Sequence, residues 1–302
     1  MIKEYALQPE LLSSEPVSRY LYEKFGYSRG RVIARYPKTW AKMVKDSLGD
    51  CKTMEKHRII ERLSMLEKSA LLPRHHDPLA EKKTWLENAI EEHTKRPFDA
   101  IIAQDNPHRD ADVICEADLD EEKELRWRAE TQRRIERTAK EMTDCAKFLL
   151  RTAREILFID PYFNPQEEPY KRPLKAFLQA ADDRHASMPK PTIEIHTGDK
   201  SNGIKDFFND KCKEHLPRII PRGMKIQLVR WDKKYLHNRY ILTDKGGLSF
   251  STGLRDHNGD HRKHDDVYLL QEELRKALRE EYQRNRSSCP PTEDNLIIEG
   301  IA

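Results

Sequence analysis

The apolar positions change period near the middle of the chain. In the first part they recur every three or four residues, which places them on one side of a helix. This spacing predicts helices over Pro16 to Phe25, Pro37 to Leu48, Thr53 to Leu72 and Leu79 to Thr94. In the third of these, Ile59, Ile60, Leu63, Leu66 and Ala70 form the apolar stripe. Pro37 stands in the first turn of its helix, where a missing amide leaves no bond unmade. Gly49-Asp50 and Pro73-Arg74-His75-His76-Asp77-Pro78 break the pattern. Phe98 to Ala103 reads as a short strand or an extended connector. The acidic stretch 105–120 reads as a loop or linker, and Glu121 to Ala153 as a long charge-rich helix bridging the two halves.

In the second part the apolar residues come in compact runs. Ile156-Leu157-Phe158-Ile159-Asp160 ends in Pro161 and reads as a buried strand opening into a loop. Further strands are expected over Thr192 to Thr197, Met224 to Val229, Arg239 to Thr243, Leu248 to Thr252 and Val267 to Leu270. Helices are expected over Leu174 to Ala181, Gly203 to His215 and Glu272 to Asn285. Strands alternating with helices imply an α/β sheet with helices on its faces. The expected organisation is therefore α/β (α+β overall): a helical domain over 1–120, a connecting helix over 121–154 and a mixed-sheet domain over 155–302.

Mean hydropathy is -0.87, 35% of residues are charged, and no window approaches 18 uninterrupted apolar residues. A transmembrane helix is thus not expected, and Met1-Ile2-Lys3-Glu4-Tyr5 lacks a signal peptide's apolar core. Five cysteines lie scattered with no C-x-x-C pair, which argues for a reducing, cytoplasmic setting over a disulfide framework or zinc ribbon. A net charge of +3 leaves any polyanion partner to local clustering. The densest basic-aromatic stretch runs through Tyr22, Lys24, Tyr27, Arg29, Arg31, Arg35, Tyr36, Lys38, Trp40 and Lys42. It reads as a nucleic-acid surface or as a solvated helix with core aromatics. Asp256 to Asp266 holds three histidines among aspartates; it reads as a polar hairpin turning at Asn258-Gly259, with a metal site as the alternative.

The residues with the clearest chemistry are His237-Asn238-Arg239 followed by Asp244, an H-x-R-x4-D pattern, then a Gly/Ser/Thr-rich run to Gly253. Side chains two apart on a strand share a face, so imidazole and guanidinium can address one phosphate. The pattern resembles the HKD motif of the phospholipase D superfamily, H-x-K-x4-D-x6-G-S-x-N. The resemblance covers about residues 140 to 288. Phe158-Ile159-Asp160-Pro161-Tyr162-Phe163 resembles the first strand and loop of that family's unit, and Asp265-Asp266 supplies its downstream acid.

The resemblance implies a phosphodiesterase, most plainly a metal-independent nuclease that needs no cofactor. His237 would attack phosphorus to give a phosphohistidine and Arg239 would clamp the phosphate. Asp244, the motif's acid, would be buried and bonded to backbone or to a neighbouring hydroxyl, Thr252 would offer a hydroxyl, and Asp266, or Asp265 in its place, would orient His237. Asp160, Tyr162 and Ser251 would line the phosphate site; Lys171, Arg172, Lys200 and Lys205 would steer DNA or RNA toward it. Arginine replaces the family lysine, and the G-S-x-N tail reads Ser251-Thr252-Gly253-Leu254. The family mechanism uses two histidines, and a second motif does not occur here. A homodimer sharing its site across a two-fold axis is therefore implied, or else a second group from His196 or His264. The alternative is a catalytically weak or inactive subunit that binds nucleic acid or a regulatory protein partner. Nothing in the sequence supports a membrane partner. A role in bacterial DNA defence rests on analogy of fold.

Overall fold

A computed structural model describes the chain except for Asp50, residues 199–204, Asn258, Asp260 and residues 283–295, and except for the side chains of residues 205, 206 and 233. The described chain divides into two compact units: Ile2–Glu130, and Thr131–Ala302 together with Met1. No helix among the described residues is long and apolar enough to cross a membrane.

The first unit is a parallel sheet with helices on both faces. In chain order it runs β1 (Lys3–Leu7), α1 (Glu15–Lys24), β2 (Arg31–Arg35), α2 (Trp40–Asp46), α3 (Thr53–Ser69), β3 (Leu71–Pro73), α4 (Trp85–Lys95), β4 (Ala100–Ala103) and β5 (Val113–Cys115). The strands lie in the order β3-β2-β1-β4-β5, all parallel. Alternate strand residues face opposite layers. Tyr5, Leu7, Ile33, Ala100 and Ile102 pack with residues of α1, α2 and α3, whereas Ala6, Ala34, Ile101 and Ala103 pack with Trp85 and Ala89 of α4.

The expected helices are all present, and the strand alternative for Phe98 to Ala103 holds as β4, but the reading of residues 1–120 as helical is wrong because it missed the other strands of the sheet. Residues 105–120 are not a linker, since β5 lies within them. Residues 121–153 are not one helix. Glu121–Glu130 belongs to this first unit, where Trp127 is fully buried edge-on against Tyr5 and Phe25. In the basic-aromatic stretch Tyr27, Arg31, Tyr36 and Trp40 are buried, whereas Arg29, Lys38 and Lys42 are exposed. Trp40 Nε1 donates to the Leu7 carbonyl at 2.6 Å, Tyr36 Oη to that of Asn88 at 2.8 Å, and buried Arg31 packs 4.3 Å from the Trp127 ring.

The second unit runs β6 (Gln132–Glu136), α5 (Ala139–Thr152), β7 (Glu155–Ile159), α6 (Glu168–Asp182), β8 (Thr192–Gly198), α7 (Lys205–His215), β9 (Lys225–Trp231), β10 (Tyr240–Thr243), β11 (Gly247–Phe250), β12 (His264–Leu269), α8 (Glu272–Tyr282) and β13 (Leu296–Glu299). Its sheet has the order β13-β9-β8-β7-β10-β11-β12-β6. The β7, β8 and β9 strands are parallel and the other pairings antiparallel. The Phe158 ring stacks on Phe177 of α6, while Leu157 and Ile159 pack with Leu278 and Tyr282 of α8, so each face of β7 has its own helix layer.

Two local devices shape this unit. The Thr138 hydroxyl accepts from the Glu141 amide and caps α5. Pro173 lies inside α6 and has no amide to give the Pro169 carbonyl. That carbonyl accepts instead from the Asp256 amide at 2.9 Å, which ties a distant loop to the helix. The proline predicts a start at Leu174, but the helix begins at Glu168, and the Asp256 amide satisfies the carbonyl that Pro173 leaves open.

Candidate functional site

The strand directions bring one set of ends together. Tyr240 at the start of β10 pairs with Ile159 at the end of β7, and Tyr240 also pairs with Ser249 near the end of β11. His264 at the start of β12 pairs with Glu136 at the end of β6. The loops leaving these ends carry Asp160, Tyr162, Arg239, Ser251 to Arg255, Arg137 and residues 261 to 263.

Asp160, 3% exposed, is the joint of this edge. Its Oδ1 accepts from the Tyr162 amide and its Oδ2 from the Leu254 amide, both at 2.8 Å, so one carboxylate fixes two loops. Gly253 between them has φ +131°, and a Cβ there would sit 3.1 Å from Asp160 Oδ2. Arg172 grips Asp256 through two bonds of 2.7 and 2.8 Å. Arg137, 1% exposed, donates through its backbone amide to the Lys263 carbonyl and through Nη1 to that of Arg262, each at 2.7 Å.

These loops enclose a polar cleft of about 490 Å³ lined by Arg137, Arg255, Arg262, His261, Thr252 and Tyr162, with Asp160, Glu167 and Tyr170 completing it. Arg255 lies 5.7 Å from the Tyr170 ring centre and Arg239 lies 5.2 Å from that of Tyr162. The Nε atoms of Arg239 and Arg255 are buried without a hydrogen-bond partner. A buried donor left unpaired costs about 1–3 kcal/mol, which an anion in the cleft would recover. Burial raises the Tyr170 hydroxyl pKa, with the Asp160 charge adding to it. The phenol thus stays a neutral hydrogen-bonding group.

The residues singled out in the sequence fall in different places. Asp160, Tyr162 and Thr252 line the cleft, and Arg239 packs behind Tyr162. His237 is in the loop before β10, not in a strand. It is exposed, does not line the cleft, and pairs through Nε2 with the Lys234 carbonyl at 2.8 Å. A carbonyl only accepts, so in the neutral ring Nε2 carries the proton and Nδ1 keeps the lone pair.

Asp244 is at the far end of β10, where Oδ1 accepts from the Arg154 and Glu155 amides at 2.8 and 3.4 Å; that is a brace between strands. Ser251 is exposed and bonds the Asp266 carbonyl. Lys171 pairs with Glu168 at 2.6 Å, and Lys200 lies outside the described residues.

The two adjacent acids separate by strand parity. Asp265 points inward, 3% exposed, and its Oδ1 accepts from the Thr252 and Asp266 amides at 2.9 Å each. Burial raises its carboxyl pKa, against the pull of those amides and of Arg137. Asp266 points the other way, half-buried, with no hydrogen bond to His237. The carboxylate that holds the Thr252 loop is therefore Asp265.

His196 is fully buried. Its Nδ1 accepts from Trp231 Nε1 and its Nε2 pairs with Glu194, each at 2.9 Å, which makes it a core residue. Among the described residues no three His, Cys, Asp or Glu side chains gather as a metal-binding set. Asp256, part of the suspected metal cluster, is committed to Arg172.

Arg137, Arg255, Arg262 and His261 were not singled out for this cleft. They come from segments more than a hundred residues apart, and no spacing along the chain joins Arg137 to the others.

No protein-family model matches the chain, and no curated protein matches it either. Among solved structures, Nuc from Salmonella typhimurium, a phospholipase D family member, matches 54% of this chain and 98% of its own, at TM-score 0.35 and 11% identity. TrmBL2, an archaeal chromatin protein with a novel mode of DNA binding, matches 92% of this chain and 81% of its own, at TM-score 0.29 and 14% identity. Both likenesses are remote, and the chemistry of the site rests on the chain's own residues.

Proposed function

We propose that the second unit grips the phosphodiester backbone of a nucleic acid in the arginine cleft. The observation that carries this reading is the convergence of Arg137, Arg255 and Arg262 with Thr252 and His261 on one cavity of about 490 Å³. Guanidinium groups bind phosphate oxygens in pairs and cannot lose their charge, so such a lining favours phosphate over neutral ligands. The buried, unpaired Nε of Arg255 speaks for an anion as the missing partner.

A second reading is hydrolysis, which the exposure of His237 leaves open although that residue does not line the cleft. His237 precedes Arg239 by two residues, Arg239 packs on Tyr162 of the cleft wall, and the exposed imidazole is open to a two-fold mate. In that homodimer Nδ1 of one His237 attacks phosphorus while the P–O bond to the leaving group breaks. The second His237, protonated, gives its proton to the leaving oxygen. Water then cleaves the phosphohistidine and restores the ring.

Both readings are tested on the full chain in EDTA with a labelled oligonucleotide. Binding at low salt is expected, and Arg255→Ala should weaken it about tenfold or more, as for the loss of a charged hydrogen-bond donor. No binding at low salt, or an unchanged Arg255→Ala affinity, overturns the cleft reading. Product release that His237→Ala abolishes establishes hydrolysis. In mixtures of the two chains, the dimer requires activity to fall as the square of the wild-type fraction; a linear fall excludes a shared site.

A further inference from the structure

We infer that Tyr162 is a stacking platform for an unpaired base, so that the cleft takes single-stranded nucleic acid. The inference rests on the phosphodiester reading above. Two tyrosines line the cleft and they are presented differently. Tyr170 is 5% exposed and packs edge-on against Phe163, with ring centres 5.9 Å apart. Tyr162 also lines the cavity but is 52% exposed.

An exposed ring on a loose loop would be unremarkable, but this loop is fixed. The Tyr162 amide donates to Asp160 Oδ1 at 2.8 Å, and the Phe163 amide to the Asp160 carbonyl at 3.3 Å. The Arg239 guanidinium, 5.2 Å from the ring centre, holds the side chain by a cation–π contact. The ring is therefore already placed before a ligand arrives, which removes part of the ordering cost of binding.

Beside the ring lie the arginines that suit phosphate. A base stacked on an aromatic next to a cationic groove is the arrangement by which single strands are held without regard to sequence. In a duplex the faces of each base are covered by its neighbours, so only an unpaired base can take this place. A cleft of about 490 Å³ is also the size of a small-ligand pocket, with room for a nucleotide or two.

The test compares three probes of equal length on the full chain: a single-stranded oligonucleotide, its duplex, and an abasic deoxyribose-phosphate strand. Tyr162→Ala should weaken the single strand by about 5- to 150-fold, the range of one base–aromatic stack. It should change the abasic strand less than twofold, and Tyr162→Trp should restore the single strand. The duplex should bind wild type no better than the abasic strand. Equal loss on the single and abasic strands, no loss on either, or a duplex bound as tightly as the single strand overturns the platform and leaves the phosphate reading standing. A wild-type chain that binds none of the three removes both.

Discussion

Asp160 holds two loops with one carboxylate, and Gly253 is the residue that lets them come so close. Its φ of +131° suits glycine alone, and a methyl group there would press on the Asp160 oxygen. Gly253→Ala should cost the second unit about 1–3 kcal/mol in urea unfolding, the usual price of a strained backbone position, and weaken oligonucleotide binding. Asp265 adds a pH dependence. Its folded-state pKa is raised by burial, so the folded chain keeps this proton to higher pH than the unfolded chain. The stability from the protonated form is complete below the ordinary value of about 3.9 and is lost as pH rises through the raised one. Wild type should therefore lose stability relative to Asp265→Asn as pH climbs from about 4; parallel urea midpoints for the two across pH would contradict the shift. At this scale the sequence was informative where chemistry is local. The motif led to Arg239, and the strand-to-loop pattern led to Asp160 and Tyr162. It left Asp265 and Asp266 undivided, because their roles depend on which face of β12 each occupies.

At the scale of elements, most helices and the central strands of the second unit were legible, and most short strands of the first unit were not. An amphipathic helix such as α3 repeats its apolar stripe over several turns, so its period is plain. The strands of the first unit are only three to five residues long and lie in a parallel sheet covered on both faces. Such strands show no alternation, and Tyr5-Ala6-Leu7 gives too short a run to separate from its surroundings. The β6 strand failed for the opposite reason. In Gln132-Arg133-Arg134-Ile135-Glu136 only Ile135 is buried, as befits a charged edge strand that resists pairing with other chains. Read by composition it merges with the polar residues around it into one long helix. Pro173 misled in a third way, since its helix-breaking effect is cancelled by the Asp256 amide, 83 residues later in the numbering.

At the scale of the whole molecule, a net charge of +3 spread over 302 residues conveys little about partners. The local field of the cleft conveys more. If Arg255 and Arg262 each meet one phosphate, the slope of log affinity against log salt should be about −1.4 for a single strand, from about 0.7 counterion per contact. Titrations between 50 and 200 mM salt, on the order of the Debye-screening range, measure it. A slope near zero would mean that the arginines meet no phosphate. A slope several times steeper would mean that cations well outside the cleft share the contact. The sequence carried the α/β class, because it follows from local periodicity in the second half of the chain. It did not carry the cationic lining, because that is made by register between strands.

That register has a consequence in time. The β6 and β12 strands pair across about three quarters of the second unit's length, and Arg137 bonds the Arg262 carbonyl 125 residues away. Bringing such distant segments together means closing a long loop, an entropic cost met before any contact rewards it. A nascent chain that has not yet emitted β12 possesses Arg137 and Asp160 but no cavity between them. The cleft is thus complete only once β12 has paired with β6, and a partly made or misregistered unit carries its arginines without the cavity that gathers them.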